Sequence, residues 1–140
     1  MTFLVERLAE LRKHLAHLRK LRPRVAGPAD LERDLSLHND VLFSLLSVCQ
    51  LVIDVAGELA ARRGDRFESY GEAIRQLVRD PRFDPDTVAA LERLPGFRNV
   101  LVHEYVALDM RRVVEAMDEL APIERFADTV AAMEQGEDNR

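Results

Sequence analysis

Tryptophan is absent from the 140 residues, and cysteine occurs once. A single thiol closes no disulfide and is too little for a cysteine zinc site. Cys49 stands in an apolar run and reads as a small buried hydrophobe. No strand-like alternation, internal repeat or low-complexity tract is present. Positive charge is also short, since the net charge is −5. A protein that holds nucleic acid by neutralising many phosphates is basic. The balance therefore excludes a general nucleic-acid coat, but not an enzyme that touches only a few phosphates. Glu6, Arg7 and Glu10 interrupt any apolar leader, so the expected compartment is the cytoplasm.

What is present is helical. The chain predicts one domain, residues 1–135, with a polar tail at 136–140 that frays. A domain of this size buries roughly 70% of its unfolded surface, enough for a core without staples. Leu4, Leu8, Leu11, Leu15 and Leu18 form one seam of a helix over 3–22. Arg12, Lys13, Arg19 and Lys20 lie off that seam. They read as a solvated outer face rather than an RNA contact, with His14 and His17 also at the surface. Pro23, Gly27 and Pro28 mark a loop. A long helix over 30–63 follows and ends near Gly64. Its middle, Val41 to Ala56, is apolar almost all round, so it reads as the centre of a bundle with a second subunit covering one side. Asp40, Gln50 and Asp54 interrupt that run, and no membrane span is expected. His38 shares a stripe with Leu42, Leu45, Cys49 and Val52, and reads as packed and hydrogen-bonded rather than catalytic.

Ser69 and Glu72 fit a capping box for a short helix to Arg79. Asp84-Pro85 starts another helix to about Leu94. Pro95-Gly96 then breaks the chain before a helix from Phe97 to Val106. Asp109 caps a last helix, Met110 to about Glu134, in which Pro122 should form a kink. The expected fold is all-α, an antiparallel bundle of about five or six helices that forms a homodimer.

One stretch carries chemistry: Arg98-Asn99, then His103, then Tyr105, after Pro95-Gly96. The Arg-to-His spacing alone recurs at Arg12 with His17 and at Arg33 with His38. Only the third instance adds the Asn, the Tyr and the Pro-Gly. At about 100° per residue, Tyr105 falls near Arg98 on a helix, while Asn99 and His103 lie together about 100–140° round. One helix cannot focus Arg98 and His103 on one atom; a cleft or a second copy could. These types suit RNA scission without a metal. A histidine near neutrality can take a proton from a ribose 2′-hydroxyl or give one to a leaving 5′-oxygen. An arginine fork stabilises a phosphate whose charge builds. The Pro-Gly break places Arg98 in the first helical turn, where free amides also favour an anion. Asn99 could orient His103, and Tyr105 could position substrate. The bland alternative is a surface network in which Arg98 pairs with Glu92 or Glu104.

The pattern R-N-x-x-x-H-x-Y resembles the signature of HepT-like toxins, a branch of the HEPN ribonuclease superfamily. Ile53-Asp54-Val55-Ala56, Ser69-Tyr70-Gly71-Glu72-Ala73, Leu108-Asp109 and Leu120-Ala121-Pro122 also look like that family. The resemblance implies a HEPN-like helical dimer whose two motifs face one cleft and cut RNA without metal or cofactor. It implies a type VII-like toxin–antitoxin system. The partner is then a minimal, MntA-like nucleotidyltransferase antitoxin that transfers AMP to the motif tyrosine, here Tyr105. Arg98 and His103 would be catalytic and Asn99 supporting. Two other classes stay open on the residues alone: a non-catalytic helical subunit that binds substrate or nucleotide for a nucleotidyltransferase, and a plain dimeric scaffold.

Overall fold

A computed structural model gives the fold. It describes residues 2–138, without the side chains of Thr2, Tyr105, Glu137 and Asp138. The described residues form eight α-helices and no strand: α1 Thr2–Leu21, α2 Pro28–Arg33, α3 Leu35–Arg62, α4 Tyr70–Arg75, α5 Pro85–Leu91, α6 Leu94–His103, α7 Met110–Met117 and α8 Ala121–Asp138. Single 3₁₀ turns cover Arg22–Arg24, Gln76–Arg79 and Tyr105–Ala107. The helical bundle expected from the pattern is present. The extra helices arise because two of the expected ones each divide.

The first division is at Asp34. Its backbone is extended, at φ −115° and ψ 99°, and its carboxylate accepts from the Leu37 amide at 3.1 Å. That is an N-cap, so the expected helix over 30–63 becomes α2 and α3. The second is at Asp118–Leu120. Pro122 stands in the first turn of α8, where a missing N–H costs nothing, so the chain breaks before it rather than kinking at it.

Other ends follow their sequence signals. Gly64, at φ +78°, closes α3 in a left-handed turn, with Asp65 N–H donating to Ala60 C=O at 2.9 Å. Ser69 Oγ accepts from the Glu72 amide at 3.1 Å, and the Glu72 carboxylate reaches back to the Glu68 amide at 2.9 Å. Asp84 and Asp109 cap α5 and α7 through side-chain oxygens.

The α3 helix is the centre, packing on α1, α2, α4, α6 and α7. It is shorter than the expected helix over 30–63, yet it passes by length and composition as a possible span; half of its most apolar window is buried within the bundle. The α1 leucine seam is buried against it, from Leu4 to Leu21. Phe126 of α8 is fully buried and lies 5.9 Å, centroid to centroid, from Phe83. The α8 helix runs on through Asp138. Glu134 itself is buried and bonded to Arg62.

Two expectations about histidines change. His14 and His17 are not plain surface groups. His14 Nδ1 lies 3.0 Å from Ser44 Oγ, and His17 Nε2 donates to Asp40 at 2.8 Å, so both tie α1 to α3. Burial holds the His14 imidazole below its ordinary value, with the Glu10 carboxylate acting against it. His38 is half-buried, and its ring makes no hydrogen bond with the described residues.

Candidate functional site

The α6 helix lies along α3 and is anchored by buried Leu101, with Phe97 and Val100 packed against the core. It begins at Leu94, with Pro95 inside its first turn. The Pro-Gly pair therefore starts this helix instead of preceding it, because proline fits the first helical positions. Arg98 is the fifth residue of α6, so its amide lies inside the helix. The expected help from open first-turn amides is absent at Arg98.

The side chains divide as helical geometry requires. Arg98 is half-buried and, with Val102 one turn on, lines a groove of about 430 Å³ against α3 and α1. Phe43, Ser47 and Gln50 of α3 and Glu10 and His14 of α1 complete its walls. Asn99 and His103 are exposed on the neighbouring side of α6. The helix ends at His103, and Tyr105 stands in the 3₁₀ turn that follows. The expected alignment of Tyr105 with Arg98 on one helix therefore fails, and its side chain lies outside the described residues.

Arg98 pairs with neither Glu92 nor Glu104. Its Nε donates to Gln50 Oε1 at 3.1 Å, and one Nη to Asn99 Oδ1 at 3.1 Å. Gln50 Nε2 in turn donates to Asp54 Oδ1 at 2.9 Å. Asn99 is thus engaged with Arg98 and does not orient His103. The His103 ring makes no hydrogen bond with the described residues. Beneath the site, burial pushes the Cys49 thiol up to about 12, against a weaker pull from the Arg98 charge. Such a thiol is inert near neutrality. Among the described residues no three of His, Cys, Asp and Glu form a metal-binding group.

Residues 6–130 match the family described as Ribonuclease HepT-like. The chain belongs to the HepT-like ribonuclease family. Two curated relatives are similar. A putative RNase of Archaeoglobus fulgidus is 28% identical over 57% of this chain and 61% of its own length. The mRNA nuclease HepT of Shewanella oneidensis is 26% identical over 74% of this chain and 80% of its own. The match thus spans less than two thirds of the archaeal relative.

Solved structures share the fold. One is a toxin–antitoxin complex with AMP-PNP, at TM-score 0.82 and 19% identity, over 94% of this chain and 99% of that one. Another is the tri-AMPylated Shewanella oneidensis HEPN toxin in complex with an MNT antitoxin, at TM-score 0.79 and 20% identity, over 92% and 96%.

In this HepT-like chain, Gln50 and Asp54 are the site-adjacent residues that the motif does not reveal. The sequence does carry a signal for them: two polar residues one helical turn apart inside an apolar run. Tyr70, the other tyrosine, is half exposed at the start of α4 and is not part of the Arg98 groove.

Proposed function

We propose that this chain is a toxin ribonuclease that cuts RNA without a metal and is silenced by a nucleotidyltransferase antitoxin. The observation that carries the reading is the state of Arg98 and His103. Among the described residues Arg98 donates only to neutral acceptors, so its charge is available to a phosphate. His103 is exposed, so its imidazole is open to a ribose hydroxyl. In the reaction, His103 takes the ribose 2′-proton, the 2′-oxygen attacks phosphorus, and the bond to the 5′-oxygen breaks. The leaving oxygen receives a proton from His103 of a second copy. Arg98 stabilises the phosphorane charge between them.

The second copy is part of the proposal. Half of the most apolar window of α3 is already buried by other helices of the same chain, so the apolar run alone does not require a dimer. Phe43 is 63% exposed and Val102 38% exposed on the two helices that border the groove, and Val106 just past α6 is 87% exposed. A copy of this surface seated on itself covers these groups and brings the two motifs to one cleft. Tyr105 is the acceptor of AMP from the antitoxin. The added phosphodiester gives Arg98 an internal anion and excludes substrate phosphate by charge and volume.

The test is cleavage of an RNA oligonucleotide by purified chain, without partner and in EDTA. Wild type cuts, and soluble His103→Ala does not. Equal cutting by His103→Ala removes the catalytic assignment. RNA binding without cutting by wild type favours a non-catalytic binding subunit.

A further inference from the structure

Gln50 and Asp54 lie one turn apart on α3, outside the R-N-x-x-x-H-x-Y pattern. An amide side chain is nearly symmetric in shape, and its neighbours decide which end points where. An ionised carboxylate only accepts, so Asp54 takes the NH₂ end of Gln50. The carbonyl end is thereby turned to Arg98, whose Nε donates to it. A reversed amide would set donor against donor at Arg98 and acceptor against acceptor at Asp54.

The choice of amide over carboxylate has its own consequence. A guanidinium carries five N–H donors. Among the described residues Gln50 and Asn99 each take one, which leaves three for a ligand. A glutamate at position 50 would hold Arg98 more strongly but would cancel the charge that a phosphate needs. Gln50 fixes the direction of the fork and leaves its charge intact.

We propose that Asp54 and Gln50 are positioning residues that aim Arg98 at the scissile phosphate: Asp54 sets the orientation of the Gln50 amide, and Gln50 anchors the Arg98 Nε–H without neutralising it. This rests on the ribonuclease reading above. Arg98 touches the phosphate; the other two act through it.

The experiment uses full-length purified protein and two readouts. In RNA cleavage, Gln50→Leu lowers kcat by about 10- to 100-fold, the loss expected for a misplaced catalytic group. Asp54→Asn, which lets the amide reverse, lowers it by a smaller factor. Gln50→Glu is also slow near pH 8, and its rate relative to wild type rises only toward about pH 4.5, as its carboxylate takes up a proton near the ordinary glutamate value of about 4.3. A purely structural role for position 50 gives no such rise. In NMR, the Arg98 Nε–H signal is protected from exchange in wild type and shifts or exchanges faster in Gln50→Leu and Asp54→Asn.

Cleavage by Gln50→Leu within about twofold of wild type overturns the proposal, as does a flat pH ratio for Gln50→Glu. Should Gln50→Leu fail to fold, Asp54→Asn and Gln50→Glu test the proposal by the same two readouts. Wild-type protein that cuts no RNA overturns the ribonuclease reading, and the NMR readout then decides the aiming alone. An Arg98 signal indifferent to all three substitutions overturns it.

Discussion

Removing Arg62 while leaving Glu134 should destabilise this protein, and the loss should shrink in acid. The Glu134 side chain is 5% exposed and that of Arg62 29% exposed. Arg62 donates to Glu134 Oε1 at 2.8 Å, and no described group hydrogen-bonds Oε2. Breaking a fully buried pair by deleting one partner costs about 3–5 kcal/mol. Water reaches the arginine end here, so Arg62→Met should cost about 2–3 kcal/mol at pH 7. A ceiling comes from protonation. Neutralising at pH 7 a carboxyl whose unfolded pKa is about 4.3 costs roughly 3.7 kcal/mol. At pH 5 the same ceiling is about 1 kcal/mol. The sign is fixed: without its cation, the buried carboxylate of the variant has a folded pKa above the unfolded one. Stability of the variant then falls as pH rises between the two values.

The assay is urea unfolding at pH 5, 6 and 7, followed by far-UV dichroism. With a slope of about 2 kcal/mol per molar, the pH 7 midpoint drops by about 1–1.5 M. The double variant Arg62→Met with Glu134→Met returns to within about 1 kcal/mol of wild type, because no lone buried charge remains and Glu58, which also pairs with Arg62, reaches solvent. A midpoint unchanged at pH 7, or a deficit equal at pH 5 and pH 7, refutes the reasoning.

Phe43→Asp should leave a folded monomer by light scattering and abolish RNA cleavage; a dimeric mass would place the interface elsewhere. Tyr105→Phe should resist neutralisation by a nucleotidyltransferase antitoxin, with the wild-type AMP adduct mapping to Tyr105 by peptide mass; an adduct on Tyr70 refutes this. Asp65 is held below the usual carboxylate range, first by the Arg63 hydrogen bond and then by the Arg79 and Arg63 charges. Its contribution is present above about pH 3.9 and lost as pH falls toward the folded value, so Arg63→Ala should raise its carboxyl titration midpoint by NMR. Binding of single-stranded RNA to His103→Ala should weaken only shallowly with salt, with a log–log slope near −1.4 for two phosphates held by a dimer, at about −0.7 each; a slope steeper than about −4 would mean a basic track that this reading lacks.

The fold is legible in the sequence where one physical signal dominates. The α1 seam, the left-handed Gly64 and the Ser69, Asp84 and Asp109 caps stand where the pattern puts them. Legibility ends where a residue admits two roles. Asp34 follows Leu-Glu-Arg, a run with good helix propensity, and only its extended backbone shows that it caps rather than continues. Pro95 and Pro122 pattern as interrupters of helices, yet each lies in the first turn of one. An earlier start for α6 puts Arg98 in the helix body and leaves Tyr105 beyond its end. Burial and exposure separate Arg98 from His103 much as the angular estimate does, while the roles of Gln50 and Asp54 emerge only where α3 meets α6.

Charge is where the acidic composition and a phosphate-binding role are reconciled. The basic side chains of α1 and of the turn after it face the acidic side chains of α8 and of the turn before it: Arg12 meets Asp128, Arg19 meets Glu124 and Arg22 meets Asp118. Exposed pairs of this kind contribute little stability, but they lower the positive field that the α1 flank offers to RNA. At α6 the chain does the opposite. It surrounds Arg98 with an amide from α3 and an amide from the adjacent residue, both neutral. A net charge of −5 therefore says little about a single guanidinium in a groove. Affinity for RNA is expected to be low and local, and catalysis needs only that the fork be aimed and unneutralised when the phosphate arrives.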